Sequence, residues 1–213
     1  MQELAEDQRD LIAEMMNLGA GKAAAGLGEK IGEEVLLSVP NVYLASRQAV
    51  VADFLSRASS EPSRRRLIVV MEKFSGGLEG EALLVLSAED GRSLATLQQV
   101  REGSGADHRR PARFLAEIGG AVLNSCLGEF SEALGLEILI EPPVVEEGDA
   151  ADLLLGLGEG ADLLFVSLAF SVGRRSLAGH LLVVLDRRSI GDFLAGVDSH
   201  LVRLSCPSSV PPP

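Results

Sequence analysis

The chain has 213 residues, 46% of them apolar, so it is long enough to bury a substantial core. A formal net charge of −12 at pH 7 argues against binding to nucleic acid or to an anionic membrane, because both need a basic face. The two cysteines are far apart and the three histidines are isolated, so neither a metal site nor a disulfide framework is expected. The N-terminus is acidic and no apolar run is long enough to span a membrane, which predicts a cytoplasmic protein.

The first predicted element is a long helix, since residues 9–32, RDLIAEMMNLGAGKAAAGLGEKIG, carry apolar side chains at helical spacing. At about 100° per residue, Asp10, Glu14 and Asn17 fall within one narrow arc, which faces outward if the apolar side is buried. This polar stripe is a candidate functional surface, although spacing alone favours the solvated face of an ordinary surface helix. The opposite, apolar side consists of Leu11, Ile12, Met15 and Met16.

The second half of this helix has almost no side-chain bulk. Such a segment predicts close packing against another helix or a sheet, which the small side chains permit. The alternative is a flexible segment, because each glycine in a helix costs about 1 kcal/mol relative to alanine. The small residues are Gly19, Ala20, Gly21, Ala23, Ala24, Ala25 and Gly26.

The next segments predict a strand, a short helix, two antiparallel strands and a terminal helix, completing a first repeat at about residues 8–100. The glycine-rich FSGGLEG predicts a hairpin between the paired strands. Residues 101–111 are the expected linker, with Pro111 near the start of a second long helix. A second repeat follows at about residues 112–198, and the proline-rich residues 205–213 predict a disordered tail.

The two predicted repeats align without a gap through the long helix and the strand after it. Glu14 matches Glu117, and Pro40 matches Pro143, both 103 residues apart. Neither half can cover both faces of its own three-stranded sheet. We therefore predict one α+β domain over residues 1–213, in which two pseudo-symmetric α/β repeats form one mainly antiparallel sheet with the two long helices adjacent on one face.

The first repeat resembles the CheC/CheX/FliY family of chemotaxis phosphatases, and the two-copy layout is closest to stand-alone CheC. The family motif is an Asp or Ser, three residues, Glu, two residues, Asn and a downstream Pro. The matching positions here are Asp10, Glu14, Asn17 and Pro40. The resemblance extends from about Asp10 to Val197.

The resemblance implies hydrolysis of the aspartyl phosphate on a CheY-type receiver domain, beside the receiver's own Mg²⁺. The phosphatase then needs no cofactor of its own, since it supplies only a positioned water. Asn17 is the expected water-positioning residue, because a carboxamide can both accept from and donate to the reactants. Glu14 is expected to pair with a receiver lysine, and Asp10 to act as a capping or supporting group.

The second copy departs from the motif. Arg113, Glu117 and Gly120 stand where Asp10, Glu14 and Asn17 stand in the first copy, so the amide is lost and a vestigial site is predicted. Asn124 lies one turn further along, about 6 Å of helix rise from position 120. It is a candidate replacement catalyst, although a cap, packing or surface role is favoured.

Two rival functions remain open at this point. One is an adaptor that docks a receiver, or the deamidase CheD, with little turnover. The other is a flagellar-switch component like FliY, which carries an additional switch-binding domain and an N-terminal targeting peptide. We expect neither feature here, because the motif helix starts near residue 10 and the chain ends soon after the second repeat.

Overall fold

The computed structural model describes residues 4–46, 48, 49, 52, 66–102, 110–155, 163–173, 177–185 and 187–205. The first half consists of α1 Glu6–Ile31, β1 Val35–Leu37, β2 Asn41–Ala45, β3 Arg66–Gly76, β4 Gly80–Ser87 and α2 Ala88–Glu102. The second half consists of α3 Arg110–Leu134, β5 Ile138–Ile140, β6 Val144–Asp149, α4 Ala150–Leu155, β7 Leu163–Val172, β8 Leu177–Leu185 and α5 Arg187–Ser205.

The described strands form one antiparallel sheet, which confirms the predicted fold class. The two halves meet in the middle of the sheet, where β4 pairs with β8, and β3 and β7 lie on either side of that pair. The short strands cross to the opposite half: β1 and β2 pair with β7, whereas β5 and β6 pair with β3. Each half therefore completes the sheet edge of the other.

The strand registers obey the pseudo-twofold relation that the repeat predicts. Val42 of β2 pairs with Val166 of β7, and its counterpart Val145 of β6 pairs with Val70 of β3. This makes Val70 and Val166 equivalent positions of the two long hairpins. The equivalent glycines of β4 and β8 also lie against equivalent rings, Gly80 against Phe74 and Gly179 against Phe170.

The two long helices lie side by side on one face of the sheet, as predicted. Their ion pairs, Lys22 with Glu129 and Lys30 with Glu117, show that α1 and α3 run antiparallel. Residues of α2 and α5 join the same apolar cluster, and α4 contributes to a smaller cluster on the opposite face. No helix in the described residues has the length and apolar character that a membrane crossing requires.

Several predicted boundaries were wrong. The single strand after each long helix is two strands, because proline lacks the N–H that a ladder needs and Pro40 and Pro143 interrupt them. The predicted linker 101–111 is too wide, since α2 reaches Glu102 and α3 begins at Arg110. Linker residues 103–109, tail residues 206–213 and most of the first half's predicted short helix lie outside the described residues.

The packing predicted for the small residues of α1 holds for only part of them. Gly19, Ala20 and Ala23 are buried, and α3 passes directly against Gly19. Gly21 and Gly26 are exposed instead, with no atom within 4 Å of the Cβ position that each lacks. The close approach is therefore local to one turn, because the antiparallel helices contact each other on one side only.

Candidate functional site

The polar stripe lies on the outer side of α1, while the other side of the helix anchors it to the core. Ile12, Met15 and Met16 are at most 3% exposed. The first turn is closed by the Gln8 side chain, whose Oε1 accepts from Ala5 N at 3.1 Å, and Gln8 Nε2 donates to Asp198 of α5 at 2.7 Å. The helix therefore presents its outer side chains from a fixed backbone.

Asp10, Glu14 and Asn17 are all exposed, which confirms the prediction of an accessible stripe. Within the part of the chain that the structure describes, none of the three side chains forms a hydrogen bond or ion pair. Asp10 cannot be the N-cap of α1, because the helix begins at Glu6. Its carboxylate is one more exposed charge on the stripe.

Pro40 is buried in the segment between β1 and β2. This segment is fixed to β7 through Ser38, whose N–H donates to Ala169 O at 2.8 Å and whose Oγ accepts from Ala169 N at 2.9 Å. In the second half Pro143 lies beside position 120, with its Cγ 3.2 Å from the missing Cβ of Gly120. By pseudo-symmetry, Pro40 is expected beside Asn17.

Exposed apolar side chains are the chain neighbours of two motif residues. Leu18 follows Asn17 on α1 and is 50% exposed, and Val39 precedes Pro40 and is 81% exposed. Such side chains gain free energy when a partner covers them. The first site therefore combines an amide and a carboxylate with apolar surface that suits protein docking.

The second motif copy has a different environment. Arg113 and Glu117 are exposed, but the Glu117 carboxylate accepts from Lys30 Nζ at 2.5 Å. This hydrogen bond, together with the lysine charge, lowers the pKa of Glu117. Gly120 is buried where Asn17 is exposed, so no side chain projects from the equivalent position.

Glu72 of β3 is a residue of this second region that sequence reasoning missed. It is 1% exposed, and Asn124 Nδ2 donates to its Oε1 at 3.0 Å and to Gly120 O at 2.7 Å. Burial raises the pKa of Glu72 to about 7, and the hydrogen bond from Asn124 opposes that rise. The available signal was an acid at an inward position of the apolar strand, between Val70 and Phe74.

The contacts of Asn124 favour the packing role that the sequence suggested over the replacement-catalyst role. Asn124 is exposed, but both its acceptors, the Glu72 carboxylate of β3 and the Gly120 carbonyl of α3, belong to buried residues. Its amide hydrogens are thus engaged within the protein. As for metals, the described residues contain no group of three or more His, Cys, Asp or Glu side chains that could hold an ion.

Comparison with known proteins finds a flagellar protein that is similar in sequence. No protein-family model matches the chain. The flagellar motor switch phosphatase FliY of Bacillus subtilis is 27% identical over 153 residues, which cover 70% of this chain. The match spans 38% of the length of that relative.

Solved structures with the same fold include three groups of proteins. Thermotoga maritima FliY has a TM-score of 0.70 at 23% identity, covering 92% of this chain and 98% of that one. The FliM middle domain from H. pylori has a TM-score of 0.62 at 13% identity, covering 91% and 99%. CheX in the CheX-CheY-BeF3-Mg²⁺ complex from Borrelia burgdorferi has a TM-score of 0.53 at 14% identity, covering 81% and 98%.

These similarities do not specifically support the predicted closeness to stand-alone CheC, which stays a prediction. The sequence similarity to FliY agrees with the predicted resemblance to the CheC/CheX/FliY family. The solved structures show that this chain shares its fold with FliY, CheX and the FliM middle domain.

Proposed function

We propose that this chain is a cytoplasmic phosphatase that hydrolyses the aspartyl phosphate of a CheY-type receiver domain in chemotaxis signalling, with α1 as its catalytic element. One observation carries the proposal. Glu14 and Asn17 are exposed one turn apart on a helix whose opposite side is buried, and neither side chain has a partner among the described residues. A helix held in this way can enter a partner's site without rearranging.

Asn17 is the residue that positions the attacking water. Its carboxamide oxygen accepts a hydrogen bond from the water, and its NH₂ group donates to the reacting phosphoryl oxygens, which fixes the in-line approach. An acyl phosphate already has a good leaving group, so the enzyme needs no nucleophile of its own. Mg²⁺ belongs to the receiver, where it neutralises charge that develops on the phosphoryl group.

Glu14 orients the docked receiver. Its exposed carboxylate pairs with a lysine of the receiver, and the pair is desolvated when the helix enters the site. Asp10 extends the negative charge of the stripe by one turn, and the buried Pro40 supports the position of Asn17. Docking also covers Leu18 and Val39, the exposed apolar chain neighbours of Asn17 and Pro40.

The comparisons support this reaction class. The Bacillus subtilis relative is named a flagellar motor switch phosphatase, and CheX of the same fold was crystallised with CheY. The match to FliY covers 153 residues of this chain. Phosphatase activity in this chain is therefore the function to test first.

The test is phosphate release from a phosphorylated CheY-type receiver. Asn17→Ala should lower turnover by on the order of a hundredfold or more, since water positioning supplies a few kcal/mol, and should leave receiver binding largely intact. Glu14→Ala should weaken both binding and turnover. Glu117→Ala is the matched control, because it removes the equivalent carboxylate of the second copy. Native turnover in Asn17→Ala would refute the proposal.

A second candidate is an adaptor that binds a receiver domain or CheD with little turnover. The observation that favours it is the fold shared with the FliM middle domain and with FliM in its crystallised complexes with FliG and with SpeE. The two functions separate in one titration. Saturable receiver binding without accelerated phosphate release identifies the adaptor, whereas release sensitive to Asn17→Ala identifies the phosphatase.

A further inference from the structure

The second motif copy differs from the first at three spatially adjacent positions. Two lie on the long helices, where the repeat offset of 103 residues defines equivalence. The third lies on the long strands, two residues beyond the equivalent Val70 and Val166. The first copy has Asn17, Gly21 and Leu168 at these positions, and the second has Gly120, Asn124 and Glu72.

In the second copy the Glu72 carboxylate fills the space beside Gly120, and Asn124 hydrogen-bonds to both residues. Glu72 Oε1 lies 2.9 Å from the Cβ position that Gly120 lacks. A side chain at position 120 would have to displace this carboxylate. Glu72 is 1% exposed, so displacing its carboxylate would cost the packing and the hydrogen bond that hold it under α3.

Asn124 holds the carboxylate in that position. Its Nδ2 lies 3.0 Å from Glu72 Oε1 and 3.3 Å from Oε2, and among the described residues it is the only hydrogen-bond donor to the Glu72 carboxylate. The same amide donates to Gly120 O at 2.7 Å, which ties it to the turn that would carry the catalytic side chain. We call Glu72, Gly120 and Asn124 the interlock.

We infer that the interlock closes the second of two pseudo-symmetric sites, so that the chain engages a single receiver domain through α1. This inference rests on the proposed function and names the stoichiometry of its partner. Glu117 does not close the site, because its ion pair with Lys30 joins two exposed side chains and such pairs are weak. Opening the second site therefore requires exchange of all three interlock residues for their first-copy counterparts.

The experiment uses the full chain with Asn17→Ala, which silences the first site. Adding Glu72→Leu, Gly120→Asn and Asn124→Gly together should raise phosphate release at least about tenfold above the Asn17→Ala background, about 1.4 kcal/mol of barrier. Gly120→Asn alone should give no gain, because the carboxylate still fills the space. Glu72→Leu with Asn124→Gly is the matched control, which opens the space without supplying an amide and should also give no gain.

A gain with Gly120→Asn alone, or a folded triple variant without a gain, would overturn the inference. Native-chain binding provides a second measurement that does not depend on the variants folding. Titration with a receiver charged with beryllofluoride and Mg²⁺ should show one receiver per chain, and two per chain would also overturn it. Failure of the proposed function has a different signature, since the native chain would then not accelerate phosphate release, or would accelerate it equally with and without Asn17→Ala.

Discussion

Glu72 illustrates how the surroundings of a single residue can shift its chemistry. Its carboxyl group lies under α3 with one amide donor, and burial raises its pKa from 4.5 to about 7. The charged form is thus less favourable in the folded chain than in the unfolded chain. The sign follows directly: the folded state binds this proton more tightly, so stability is lost as pH rises from about 4.5 to about 7.

Glu72→Gln should therefore remove part of the pH dependence of stability. Relative to the variant, the native chain should lose up to about 3 kcal/mol of unfolding free energy between pH 4 and pH 8, at about 1.4 kcal/mol per pKa unit. Urea denaturation of both proteins across this range measures the difference. Parallel stability curves for the two proteins would contradict the assigned pKa shift.

Asn124→Ala should destabilise the fold without affecting turnover at α1. Removing the amide leaves the buried Glu72 carboxyl without its hydrogen-bond donor, which costs about 1–3 kcal/mol. Ser125→Ala is the control on the same helix, because its hydroxyl bonds only to Ala121 O of its own helix. Denaturation midpoints and phosphate release of the two variants decide this point, and equal midpoints would show that Asn124 does not support Glu72.

At the level of secondary-structure elements, the contact of α1 with α3 depends on one glycine. A Cβ at position 19 would lie 2.6 Å from Cys126 Cα and 2.7 Å from Ser125 O, both backbone atoms of α3. Backbone cannot move aside as a flexible side chain can. The glycines at positions 21 and 26 of the same helix have open space at their Cβ positions.

Alanine substitutions should consequently have opposite effects along α1. Gly19→Ala should destabilise the chain by about 1–3 kcal/mol, because the two helices must separate. Gly26→Ala should stabilise it by about 1 kcal/mol through helix propensity, with no contact changed. Thermal or urea unfolding of the two variants provides the test. Stabilisation by both substitutions would mean that the helices are not in close contact at Gly19.

At the scale of the whole molecule, the two halves are joined by exchanged strands. β1 and β2 complete the edge beside β7, and β5 and β6 complete the edge beside β3. The central β4–β8 pairing joins the same halves again. Separating the halves would therefore break several ladders at once.

After cleavage between the halves, the two fragments should therefore stay associated. We expect a protease site introduced within residues 103–109 to yield two fragments that co-elute in gel filtration and unfold together in one urea transition. The physical reason is that each fragment supplies edge strands to the other. Two fragments that elute separately as folded species would contradict the exchange. The uncleaved chain carrying the same site is the control.

The sequence by itself determined the local features of this protein. Helical spacing placed Asp10, Glu14 and Asn17 on one exposed stripe, and the 103-residue offset predicted two related halves with adjacent long helices. Periodicity and repetition are properties of neighbouring residues, so they can be read from the chain alone. The same signals predicted one antiparallel sheet, because neither half can cover both faces of its own three strands and the two halves must therefore join.

Only the tertiary structure decided which edges the strands join and which side chains meet. The strand that follows each long helix pairs with the other half, and no local pattern encodes the choice between two pseudo-equivalent edges. Glu72 and Asn124, 52 residues apart, meet only because α3 crosses β3 at Gly120. Such contacts depend on packing between distant segments. The sequence therefore showed only that the second copy has Gly120 in place of the asparagine, and the fold showed that Glu72 lies in the space beside it.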